Sequence, residues 1–188
     1  MKRTFLAALL AGLSASAHGQ GEILFANFDN TSTSPTATSN GLFWLSTNGN
    51  PVLINQDFNA ALYAGTDPNR LALFTTLLLS DGTALGDNSA GPGTIYDMSG
   101  NFYFVPGARF SAFFVIQAWT GDFNSYAAAV AGGAPAVQSP VFSNRLSSPF
   151  VPLATLEGMP AIVLSIPEPR TIVLAGFGAV ALLIWRRR

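Results

Sequence analysis

His18 is the only histidine of this 188-residue chain, Lys2 is its only lysine, and it has no cysteine. Missing thiols exclude disulfides, thiolate catalysis and Cys-ligated zinc or iron–sulfur sites. A Ser-His-Asp arrangement needs an imidazole, and Schiff-base chemistry needs an amine. Both would rest on residues within the first eighteen. Carboxylates are the acid–base groups left. Glycoside hydrolysis takes two of them about 5–9.5 Å apart, and Glu22, Asp97 and Glu157 are the acids least embedded in turn-forming neighbours.

Asp81, Asp87, Asn88 and Asp97 bracket a Gly-rich loop, the kind of oxygen-donor set that Ca²⁺ favours, yet no Asp-x-Asp-x-Asp-Gly loop occurs. Turn chemistry alone places Asp and Asn at such positions. Gly91-Pro92-Gly93 lacks the rest of a phosphate loop. Among the aromatics, Trp44, Trp119, Tyr63, Tyr96 and Tyr103 could stack on sugar rings. Trp119 and Tyr63 lie in apolar runs and read as core, whereas Trp44 adjoins polar loops and is the best candidate for an exposed stacking face. The expectation is a non-enzymatic chain with no catalytic residue and no resident cofactor, calcium being the one metal its loops could take.

The elements that must position these residues lie between two unusual ends. Lys2 and Arg3 precede an apolar stretch from Phe5 to Leu13, and Ala15-Ser16-Ala17 follows as a small-x-small cleavage site. That order is a secretory signal peptide. A cut after Gly19, with Ala17 three residues before the bond, serves nearly as well. Either cut takes His18 away or leaves it terminal, and takes Lys2 with it.

At the other end Pro167-Glu168-Pro169 precedes an apolar run from Thr171 to Trp185, and Arg186, Arg187 and Arg188 follow. Fifteen helical residues span about 22 Å, short of the roughly 30 Å of a bilayer core. The arginines stay cytoplasmic by the positive-inside rule, as do Lys2 and Arg3, so everything between is exported. This tail resembles the PEP-CTERM sorting signal of Gram-negative bacteria. The resemblance implies that exosortase, a membrane protease-transpeptidase, acts near the tripeptide. Arg170 departs from the small polar residue often found there. No basic cluster is expected after a GPI signal, and no Leu-Pro-x-Thr-Gly wall-sorting pattern occurs.

Charge follows the same partition. The whole chain carries a net −1, but residues 20–167 hold only Arg70, Arg109 and Arg145 against nine acids, a net −6. An acidic, lysine-free body has no electrostatic footprint for nucleic acid.

Within that body, apolar runs alternate with Gly, Pro, Asn, Asp and Ser clusters, which is strand-and-turn punctuation. Strands are predicted at Glu22–Phe28, Leu42–Ser46, Val52–Asn55, Ala60–Tyr63, Leu71–Leu79, Phe102–Val105, Phe110–Thr120, Val137–Phe142 and Ala161–Ile166. Phe110–Thr120 is apolar on both faces and so should be central. Asn48-Gly49-Asn50-Pro51, Asp67-Pro68-Asn69 and Asp81-Gly82 read as turns. Thr31 to Asn40 reads as a long exposed loop, and Tyr126 to Ala131 as a strand or one helical turn. Nine strands in one domain fit a β-sandwich, the jelly roll among its topologies. Ala60-Ala61-Leu62-Tyr63-Ala64-Gly65 and Gln117-Ala118-Trp119 resemble exported PEP-CTERM proteins of verrucomicrobial-type genomes, a likeness that brings no activity with it.

The sequence is therefore read as a signal peptide (1–19), an exported all-β domain (20–166) and a sorting signal (167–188) with a transmembrane helix. Expected partners are the Sec translocon, signal peptidase, an exosortase and, transiently, the inner membrane. The expected destination is the cell surface or extracellular polysaccharide matrix. A carbohydrate-binding β-sandwich module is the alternative.

Overall fold

The computed structural model describes residues 21–54, 58–77, 92–97, 99–147 and 153–166. Within them ten strands and one six-residue helix form three sheets, so the body is all-β. The largest sheet is built on β7 (Ser111–Trp119), the longest strand. Antiparallel β4 (Asn59–Gly65) lies on one side of it, with β5 (Ala72–Leu77) beyond. On the other side β7 pairs with both β8 (Ala136–Gln138) and β9 (Phe142–Arg145). Its centrality follows from its pattern: Ala112, Phe114, Ile116 and Ala118 are buried on one face, and Val115 and Trp119 are buried on the other.

A three-stranded sheet has the order β10 (Ile162–Ser165), β2 (Phe43–Thr47), β3 (Asn50–Leu53), and a two-stranded ribbon joins β1 (Glu22–Leu24) to β6 (Phe102–Phe104). All three sheets give side chains to one core: Ile23 from β1, Phe43 from β2, Leu62 from β4, Phe114 and Ile116 from β7, Leu164 from β10. Each such side chain contributes about 1.5–3 kcal/mol by leaving water. A second, smaller cluster gathers Ala61, Trp119 and Ala129 on the outer face of the large sheet. There α1 (Tyr126–Ala131) covers Trp119, starting at Ser125, whose hydroxyl accepts from the Ala128 N–H, and ending at Gly132. The Tyr126–Ala131 segment is thus helix, the second of its two expected forms.

Two differences from the sequence pattern have physical causes. The expected strand at Val137–Phe142 divides into β8 and β9 because Pro140 has no N–H for the ladder. The pair β2–β10 is parallel, a connection that local alternation does not encode and that an antiparallel jelly roll lacks. The Asn48-Gly49 turn does form, with both residues at positive φ (53° and 77°), the hand that suits a two-residue hairpin. Pro51 follows within β3, an edge strand where its missing donor costs nothing.

Candidate functional site

The described structure ends where the tail begins. β10 runs beside β2 in the register Ile162↔Phe43, Val163↔Trp44, Leu164↔Leu45, Ser165↔Ser46. Ile162 and Leu164 are buried in the core, while Ser165 is exposed. The last backbone bond runs from the Ile166 N–H to the Ser46 carbonyl at 3.0 Å. Pro167 comes next, and as an imino acid it cannot extend the ladder. A single residue therefore separates the strand from the Pro-Glu-Pro tripeptide.

Gly41 seats β10. Its N–H donates to the Met159 carbonyl at 2.8 Å, and Ile162 N–H donates to the Leu42 carbonyl at 3.0 Å. A Cβ at Gly41 would lie within 2.5 Å of Ala161 N and of the Pro160 carbonyl, so only glycine permits this approach. Asn30, buried nearby, donates through Nδ2 to the Gly41 and Leu156 carbonyls at 2.8 and 3.1 Å. Asn144 ties the preceding loop, donating to the Thr155 carbonyl at 2.8 Å and accepting from the Gly158 N–H at 2.5 Å. Sequence inspection missed all three residues, since an isolated Gly or Asn outside an apolar run gives no local sign of burial.

The tripeptide Pro167-Glu168-Pro169, the apolar run 171–185, Arg186, Arg187 and Arg188, and the cleavage region with Ala15, Ala17 and Gly19 lie outside the described residues. Among the described residues no helix is long and apolar enough to cross a membrane.

Trp44 is described, and its expected exposure is corrected: it is only 7% exposed. In the ladder it stands between Leu53 and Val163. Its Nε1 is buried without a hydrogen-bond partner among the described residues. Trp119, expected in the core, is buried there, with Nε1 donating to the Phe123 carbonyl at 2.8 Å. Tyr96 meets Phe28 edge-on at 72°. Neither tryptophan offers a free ring face.

Of the four residues weighed for calcium, only Asp97 is described. It is buried, and its oxygens already hold protein donors. Oδ1 accepts from the Ser99 N–H at 3.0 Å and the Ser99 hydroxyl at 2.5 Å, and Oδ2 accepts from the Tyr103 hydroxyl at 2.5 Å. Burial, then the Asp97 carboxylate, pushes the Tyr103 phenol above its ordinary 10.0. Among the described residues no three His, Cys, Asp or Glu side chains gather as metal ligands. Glu157 is paired with Arg145 at 3.0 Å, and Glu22 exchanges backbone bonds with Ser147.

An open groove of about 260 Å³ crosses the outer face of the large sheet, lined by Tyr63, Asn69, Gln117 and Gln138 over Leu71 and Val115. Gln117 Nε2 donates to Gln138 Oε1 at 2.8 Å. Among the described residues, no ionisable side chain other than the Tyr63 phenol lines it.

Residues 165–188 match the PEP-CTERM protein-sorting motif. The tail carries this sorting motif. Such a motif implies an exported protein that an exosortase sorts in Gram-negative bacteria. It covers about an eighth of the chain, and its first residue, Ser165, is the last residue of β10. No curated protein matches the chain, and no solved structure does.

Proposed function

We propose that the chain is the precursor of a non-enzymatic surface protein, sorted through its PEP-CTERM motif. The observation that carries this reading is the motif itself, at residues 165–188. In it, residues 1–19 enter the Sec translocon and are removed by signal peptidase. Residues 20–166 fold outside as a β-sandwich, consistent with three sheets sharing one core. Residues 167–188 hold the body at the inner membrane until an exosortase acts at Pro167-Glu168-Pro169. The short span supports a temporary anchor, because it fits a bilayer core poorly. Arg186–Arg188 stop translocation so that the tripeptide stays near the outer leaflet.

The released body lacks Lys, Cys and any internal His, which favours a structural role at the surface or in a polysaccharide matrix. The resemblance of two short phrases to verrucomicrobial-type proteins carries no part of this reading. Substitution tests it. Glu168→Ala should leave export intact but accumulate a membrane-retained precursor, and replacing the three arginines by Ser should reduce processing. Unchanged processing of Glu168→Ala in the native host would refute the role of the tripeptide.

One observation favours the carbohydrate-binding alternative. The groove over Val115 offers amides and a phenol without charge, which suits neutral hydroxyl-rich ligands. Retardation of the body in polysaccharide-containing gels, relieved by Tyr63→Ala, is its expected sign; equal mobility with and without polysaccharide counts against it.

A further inference from the structure

We propose that the end of the three-stranded sheet carrying the β2–β3 turn is the surface that the precursor lays against the membrane headgroups. The inference rests on the reading of residues 171–185 as a membrane span. It follows from the parallel pairing of β10 with β2. Because these strands run the same way, Ser165 pairs with Ser46, and the chain leaves the sheet beside the turn at Asn48-Gly49.

Little slack separates that point from the bilayer. Ile166 is still tied to the Ser46 carbonyl. Only Pro167 to Arg170 intervene before Thr171, and the five steps from Ile166 to Thr171 reach at most about 18 Å. The polar layer outside the hydrocarbon core is itself roughly 5–8 Å thick on each side. Slack from β10 is limited too. Ser165 and Ile166 are exposed and could peel away, but Leu164 is fully buried and Ile162 nearly so. The body must therefore sit on the headgroups, and this end of the sheet is the one that arrives there.

The chemistry of that end suits the contact. Thr47, Asn48, Gly49 and Asn50 are exposed, and from Ser46 to Pro51 no residue is charged. Their hydroxyls and amides can meet phosphate and ester oxygens. Elsewhere the body carries nine acids against three arginines, so anionic lipid repels it on average. Val52, in the adjoining edge strand, adds an exposed apolar side chain.

The cysteine-free chain makes the test direct. Thr47→Cys and Ser39→Cys each give one labelling site at opposite ends of the three-stranded sheet. Ser39 lies in the loop whose Ala37 carbonyl binds the start of β10, roughly 16 Å or more away along the strands. The full-length precursor, reconstituted in vesicles of phosphatidylethanolamine and phosphatidylglycerol, carries a fluorophore at either site and meets a headgroup-attached quencher. Quenching at position 47 should be several-fold stronger than at position 39. Inserting eight Gly/Ser residues between Ile166 and Pro167 adds about 16 Å of mean reach and should abolish the difference.

Equal quenching at both sites, stronger quenching at 39, or indifference to the linker would overturn the proposal. A precursor that fails to bind vesicles overturns it too, together with the membrane span. The assay contains no processing enzyme. Asymmetric quenching combined with unprocessed protein in the host would therefore keep this surface and sink the exosortase reading, and the reverse pair of results would do the opposite.

Discussion

Gly41→Ala is the sharpest test of how the tail is tied to the body. The added Cβ would lie 2.1 Å from Ala161 N and 2.2 Å from the Pro160 carbonyl carbon, against an ordinary contact of 3.4 Å or more. Both neighbours are backbone, so the two segments must part by about an ångström. That movement stretches three hydrogen bonds: Gly41 N to Met159 O, Ile162 N to Leu42 O, and Asn30 Nδ2 to Gly41 O. At about 1 kcal/mol each the loss is about 3 kcal/mol, and partial exposure of Ile162 adds to it. Such a loss is a large fraction of the roughly 5–15 kcal/mol that holds a domain folded. Gly49→Ala is the matched control. Its Cβ meets nothing within 4 Å, so only the positive φ is penalised, at about 1–2 kcal/mol. Urea unfolding of residues 20–167, followed by tryptophan fluorescence, should rank Gly41→Ala well below Gly49→Ala. Equal midpoints would refute the close-approach argument.

Other outcomes are expected on the same grounds. Asn144→Ala should destabilise the body by about 2 kcal/mol, because the buried Thr155 carbonyl and the part-buried Arg145 carbonyl and Gly158 N–H lose their partner, whereas exposed Gln117→Ala should cost under about 0.5 kcal/mol in the same urea series. Tyr103, with its phenol raised, binds its proton more tightly folded than unfolded. Its contribution is complete below pH 10 and declines as pH rises through the folded value, so Tyr103→Phe should flatten the alkaline fall in thermal midpoint; an unchanged fall would contradict this. N-terminal sequencing of the exported form should begin between His18 and Gly21, and an intact Met1 would contradict the signal-peptide reading.

Strand positions were legible where burial imposes a period. β7 announced its centrality through two apolar faces, and Asn48-Gly49 announced its hairpin through residues that tolerate positive φ. The tail motif was legible because its order of tripeptide, apolar run and arginines is local. Long-range features were not. Nothing in Ala161–Ile166 says that it pairs in parallel with a strand some 120 residues earlier. Asn27 lay in an expected strand and Asn30 and Asn144 in no expected element, and nothing local says that each is buried and donates to carbonyls far along the chain. Trp44 was misplaced for a related reason: polar neighbours in sequence do not reveal which strands flank a ring on either side.

Whether the tail is a sorting signal or a lasting anchor is settled most directly by mass spectrometry of the cell-surface fraction from the native host. Processing at the tripeptide predicts surface molecules that retain peptides of the β body and lack those from Ile172 to Trp185. Finding the Ile172–Trp185 segment in most surface molecules would contradict the account and leave a simple membrane anchor.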